Sequence, residues 1–185
     1  MITQRTLKNA IRATGVGLHT GKQIFLTLRA APVNTGIVFR RTDNEGNGLE
    51  IPGLVENVVD NRMCTTLGNN HGNSIATVEH LMAALSGCNI DNVFVEVDGA
   101  ELPIMDGSSA PFVFLIECAG IVEQELPRQA IEILRTIRVE DEDKLAELRP
   151  GEGFSVDFEI EFSSLAIGQQ EMTVDLVNGT FKGEL

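Results

Sequence analysis

Long apolar runs are missing from this sequence: the longest, Phe112 to Ile116, is far shorter than the roughly 20 apolar residues a membrane span needs. The first stretch, Met1 to Gly15, mixes Gln4, Arg5, Lys8 and Arg12 with single apolar residues and lacks the apolar core of a secretory signal. Cysteine is scarce. Cys64, Cys88 and Cys118 are odd in number, widely spaced and in no C-x-x-C arrangement, which argues against a disulfide framework or a thiolate zinc site. A reducing cytoplasm is the compartment these features predict, with Cys88 and Cys118 as small buried hydrophobes. Positive charge is also sparse, at 14 Lys and Arg against 27 Asp and Glu, a net charge of −13. Nucleic acid and anionic lipid surfaces, which need clustered cations to displace counterions, are therefore excluded as expected partners. A local basic pocket can still hold a nucleotide-linked substrate.

What remains is the composition of a folding chain: 185 residues, 43% hydrophobic and 22% charged, enough for one large or two small domains. From Gln23 to Arg29, Ile24, Leu26 and Leu28 alternate with Phe25, Thr27 and Arg29, which predicts a half-buried strand. Similar strands are expected at Gly36 to Arg41 and Asn92 to Val97, with a turn rich in Asp, Asn and Gly at Asp43 to Gly48. Between Thr77 and Gly87 the period changes. Val78, Leu81, Met82 and Leu85 fall at helical spacing, and Gly87 is the expected stop. A second helix is expected from Ser109 to Ala119, with Ser as N-cap, Pro111 in its first turn and Gly120 ending it. Val113 and Phe114 widen its apolar stripe and predict burial on two sides.

The fold class expected is α+β: a two-layer sheet-and-helix domain over residues 1–125, followed by the first strands of a second, similar domain over 126–185. Ile121 to Gln129 is polar, contains Pro127 and serves as the expected boundary. Beyond it, strands are predicted at Ala130 to Val139, Lys144 to Leu148, Phe154 to Phe162 and Glu171 to Val177. A sheet with no covering helix leaves an apolar face exposed, so the second domain reads as incomplete, and self-association through exposed strands is a possible consequence.

Only three histidines can serve a histidine-based site: His19, His71 and His80. On a helical wheel Glu79 and His80 point away from the Val78, Leu81, Met82 and Leu85 stripe, roughly 100° apart. Ala83 and Ala84 lie one turn further along those directions and leave room for a bound group. A Glu and a His in a first helical turn are also common solvated residues, and the dipeptide is much less specific than H-E-x-x-H. His71, within Asn69 to Asn73, has turn composition and is expected to be exposed. Thr14 to Gly21 carries three glycines, which suggests close backbone approach or positive φ; it matches neither the P-loop nor the Rossmann spacing. Pro103 to Phe112 reads as a turn leading into a helix, and Asp106 could orient a catalytic group from there.

These segments resemble the UDP-3-O-acyl-N-acetylglucosamine deacetylases (LpxC), which act in lipid A synthesis in Gram-negative bacteria. The likeness rests on ATGVGLHTG at Ala13 to Gly21, TVEHLMAAL at Thr77 to Leu85, IDNVFVEV at Ile90 to Val97 and ELPIMDGSSAPFVF at Glu101 to Phe114. It implies a zinc-dependent hydrolysis of the acetamide of a UDP-linked acylated amino sugar, releasing acetate. By this resemblance His80 is a zinc ligand and Glu79 the general base. Met63 and Cys64 lie near the metal and the mouth of an acyl-chain passage, and His19 and Asp106 have supporting roles. It also implies two α+β domains facing each other across the active site. In the family a second His and an Asp complete the zinc site and a further His acts as acid, all downstream of position 185. The chain is thus expected to be a truncated part of such an enzyme and inactive alone. The alternative is a catalytically silent module that keeps the fold and binds a ligand or a protein.

Overall fold

The computed structural model describes residues 2–43, 49–176 and 180–183. All of the turn expected at Asp43 to Gly48 except Asp43 lies outside the described residues, as does Val177 at the end of the last expected strand. The chain is a mixed α+β protein that divides into two compact units, Met1–Arg128 and Gln129–Glu184.

Unit 1 runs β1 (Thr3–Leu7), β2 (Ile11–Val16), β3 (Gln23–Ala30), β4 (Ile37–Arg41), β5 (Glu50–Pro52), β6 (Val58–Asp60), β7 (Thr66–Gly68), β8 (Ser74–Ile75), helix α1 (Glu79–Gly87), β9 (Val93–Val97), helix α2 (Ala110–Ala119) and β10 (Ile121–Pro127). Five of these strands form one sheet in the order β2-β3-β9-β4-β5. All its neighbours are antiparallel except β4 and β9. The alternation expected in β3 holds: Ile24, Leu26 and Leu28 are buried and Phe25 is exposed. Val93, Val95 and Val97 of β9 are fully buried, as are Phe39 and Ile51. Helices α1 and α2 complete this core with Leu81, Leu85, Phe112 and Ile116, so that a sheet face and two helical stripes exclude water together.

Helix α1 begins at Glu79, later than the spacing predicts, because Thr77 has φ +61° and cannot continue into a right-handed turn. The room expected beside Ala83 and Ala84 is only half there: Ala83 is exposed, whereas Ala84 is fully buried. At α2 the hydroxyl of Ser108, not Ser109, accepts the Ala110 N–H at 3.1 Å. The helix ends at Gly120, whose φ of +74° suits a residue without Cβ. Burial on two sides does not occur. Phe112, Val113, Ile116 and Ala119 are buried, Phe114 is 64% exposed, and Cys118 is exposed rather than a core hydrophobe. Cys88 is buried as expected.

Ile121 to Gln129, the polar segment expected as the boundary, supplies strand β10, which pairs antiparallel with β1. Polar residues hold this pair to the main sheet. The Asn92 side chain donates to Gln4 and Gln124 at 2.8 Å each. Arg128 forks onto Asp91 at 2.7 and 2.8 Å, and Asp91 also accepts the Arg5 N–H.

In unit 2, β11 (Ile137–Asp141) pairs with β12 (Lys144–Leu148) and β13 (Ser155–Glu161) with β14 (Gln169–Asp175), both antiparallel. The strand expected from Ala130 starts only at Ile137. Among the described residues this unit holds no α-helix, and Val139, Leu145, Phe158 and Met172 are exposed. No helix among the described residues is long and apolar enough to cross a membrane.

One-sided burial of α2 gives a direct check. Phe112→Ala is expected to destabilise unit 1 by about 3–5 kcal/mol, and Phe114→Ala by less than about 0.5 kcal/mol, in urea denaturation followed by circular dichroism.

Candidate functional site

The start of α1 gathers three segments. Its first residue, Glu79, complements the positive end of the helix dipole and is half-buried, as is His80. The Glu79 carboxylate accepts the Thr65 N–H at 3.0 Å, while the Val78 N–H donates to the Thr65 carbonyl at 3.3 Å. This double tie holds the segment around Cys64 against the helix entry. Cys64 is half-buried and contacts the Thr66 hydroxyl at 3.7 Å. Met63, 83% exposed, joins Cys64, Thr66, Asp60 and Arg62 in lining a surface concavity of about 440 Å³. Asp60 and Arg62 form an exposed ion pair at 2.8 Å, and the guanidinium holds the Asp60 carboxyl well below the usual carboxylate range.

Behind the helix entry sits a residue that the sequence did not single out. Glu101 is 1% exposed. Its carboxylate accepts the His19 N–H at 2.9 Å, the Thr20 N–H at 3.1 Å and the Thr77 hydroxyl at 3.3 Å. Burial alone would push its carboxyl up, but the His19 and Thr20 donors outweigh that and leave it lowered. Thr77, also buried, keeps its left-handed φ of +61° at a cost of about 1–2 kcal/mol for a residue with Cβ. The surroundings fix it: Ala76 donates to Ala100 at 2.9 Å and accepts from Leu102 at 3.0 Å.

The glycines of the β2–β3 connection fit this arrangement. A Cβ on Gly17 would lie 2.5 Å from both Glu101 Oε2 and Thr20 Oγ1, and one on Gly15 would lie 2.7 Å from Pro103 Cβ. Gly21 has φ +63°. Close approach and positive φ, both suggested by the sequence, each apply at different positions. Ile104 donates to the Val16 carbonyl at 3.0 Å, so the glycine-rich turn and the Glu101 to Gly107 segment lie side by side. His19 itself is exposed.

Asp106, exposed, accepts the Ser108 N–H and hydroxyl at 2.9 Å each. These donors hold its carboxyl below the ordinary aspartate value, and positive charge on His80 adds to the effect. His71 is exposed in a turn, its N–H donating to Asn69 at 3.0 Å.

The fit to a metal is partial. Among the described residues no three His, Cys, Asp or Glu side chains converge in a way that could hold an ion, and a catalytic zinc takes three protein ligands. His80 can offer one imidazole. The described residues do not make a zinc site by themselves.

Within this α+β unit a Glu and a His thus stand in consecutive positions at a helix entry, and the Glu79 carboxylate is tied to the Thr65 amide, between two residues, Cys64 and Thr66, that line a concavity. The family model of LpxC, UDP-3-O-acyl N-acetylglycosamine deacetylase, matches residues 4–185, and the chain belongs to this family. It is 51% identical to the UDP-3-O-acyl-N-acetylglucosamine deacetylase of Pseudoalteromonas atlantica and 52% identical to that of Acidithiobacillus ferrooxidans. In both comparisons all of this chain and 61% of the relative are covered. The corresponding protein of Thioalkalivibrio sulfidiphilus is 53% identical over 95% of this chain and 57% of its own length. The chain thus spans about three fifths of the relatives it matches.

Glu101 gives a pH prediction. Its carboxyl is lowered by folding, so it adds stability above the ordinary glutamate value of 4.5 and loses that contribution as the pH falls through its folded value. Thermal midpoints measured from pH 7 down to pH 3 are expected to fall more steeply for the natural chain than for Glu101→Gln. Parallel curves would remove the linkage.

Proposed function

We propose that this chain supplies one side of the active site of a zinc-dependent deacetylase acting in the cytoplasm on a UDP-3-O-acyl-N-acetylglucosamine in lipid A biosynthesis. The observation that carries this reading is the half-buried Glu79 and His80 pair, its carboxylate tied to the Thr65 amide beside Cys64, in a chain matched throughout by the deacetylase family. Zinc belongs to the complete site, toward which His80 is one donor.

Glu79 is the general base. Its carboxylate already has one oxygen satisfied by a backbone N–H, which fixes the side chain and leaves its other oxygen to take a proton from water. The water oxygen adds to the acetamide carbonyl, the C–N bond breaks, the amine leaves protonated, and acetate is released. The concavity at Met63 and Cys64 supports contact with the acyl chain, because an exposed thioether and a thiol offer an adaptable apolar lining. His19 and Asp106 take supporting roles in this reading.

Three outcomes are expected. Joined to the remaining length of a relative such as that of Pseudoalteromonas atlantica, the chain is expected to release acetate from the UDP-sugar. In that protein Glu79→Ala should lower kcat by about 10²-fold or more with zinc content unchanged by metal analysis. Loss of metal with unchanged turnover per zinc would refute the base role; bound zinc without any acetate release would favour the silent module. The isolated 185-residue chain is expected to hold zinc weakly, and stoichiometric zinc surviving dialysis would contradict that.

A further inference from the structure

Two motifs of the site, the turn that carries His19 and the entry of α1, are far apart in sequence and share no direct side-chain contact among the hydrogen bonds described above. Glu101 joins them. One carboxylate oxygen, Oε1, takes the His19 N–H at 2.9 Å and the Thr77 hydroxyl at 3.3 Å; the other, Oε2, takes the Thr20 N–H at 3.1 Å. No basic side chain is needed, since charge-assisted bonds from amides and hydroxyls can satisfy a buried carboxylate.

We infer that Glu101 is a positioning residue that locks the His19–Thr20 turn to the Thr77–His80 helix entry, so that both parts of the site keep one mutual geometry. Three independent features converge on it. Gly17 lacks the Cβ that would strike Glu101 Oε2 at 2.5 Å. Thr77 holds a left-handed φ of +61° that aims its hydroxyl at Glu101 Oε1. Glu101 itself forms a bridge with Ala76 through the backbone, which sets its side chain between the turn and the helix. The inference deepens the proposed function, on which it rests for the catalytic meaning of Glu79 and His80. Glu101 acts on the reaction only through the residues it places.

The split between the two oxygens makes the lock testable in the 185-residue chain by NMR, with neither zinc nor substrate. Thr77→Val keeps the shape and removes the hydroxyl from Oε1. It is expected to move the His19 amide resonance more than that of Thr20 and to shift the His80 ring resonances, while Thr77→Ser restores all three. Glu101→Gln replaces one acceptor oxygen by a donor, and hydrogen exchange at the His19 or Thr20 amide is expected to accelerate by roughly tenfold or more. If Glu101→Gln unfolds unit 1, the Thr77 pair still decides. Equal movement of the two amides, or a His80 ring unaffected by Thr77→Val, overturns the lock. Because these readouts need no catalysis, failure here leaves the base role of Glu79 standing; an inactive joined protein with the coupling intact would count against the function and not against Glu101.

Discussion

A carboxylate withdrawn from water must find donors in the protein or lose its charge. Glu101 finds them in two segments, the turn after β2 and Thr77, two residues ahead of α1. Much of the neighbourhood follows from that requirement. The turn must offer two amides facing the same way, so the chain between β2 and β3 is tight and rich in glycine. Ahead of the helix the backbone takes an unfavourable angle at Thr77, whose hydroxyl donates to the carboxylate. The close approach at Gly17 and the left-handed backbone of Thr77 both serve the same buried charge.

The core beneath explains why the strain persists. Leu81, Leu85, Phe112 and Ile116 are buried together with the valines of β9, and a packed interior of this kind resists the small rotation that would let Thr77 relax. Burial of one helical stripe sends the remaining residues of the first turn outward and sideways. Glu79 and His80 are therefore half-buried as a result of where the apolar residues lie.

Sequence periodicity revealed the parts of the fold where one face is apolar and the other is not. Strand β3 and helix α1 were legible for that reason. Strand β1 was hidden because the residues it buries include Gln4 and Thr6, whose burial depends on hydrogen bonds to Asn92 rather than on hydrophobicity. Strand β10 was hidden likewise, since Gln124 reaches the Ala31 carbonyl and Asn92 across the fold. Glu79 and His80 stood out by wheel position. Glu101 did not, although a clue existed: a turn with three glycines exposes amides that need an acceptor, and an acid opens the segment packed against it. A single sequence does not connect two such signals across about 80 residues.

The fork of Arg128 onto Asp91 and Asn89 also bears on how this protein can be divided. The Pro127 carbonyl accepts from Gln4 and the Arg128 amide donates to Ile2, so the final residues of unit 1 fasten its first strand. A cut placed after Glu125, in the middle of the polar stretch, would discard those fasteners and the pairing of Thr3 with Pro127, while Arg5, Thr6 and Leu7 kept their partners. Excision after Arg128 keeps these bonds and every motif of the candidate site within one piece.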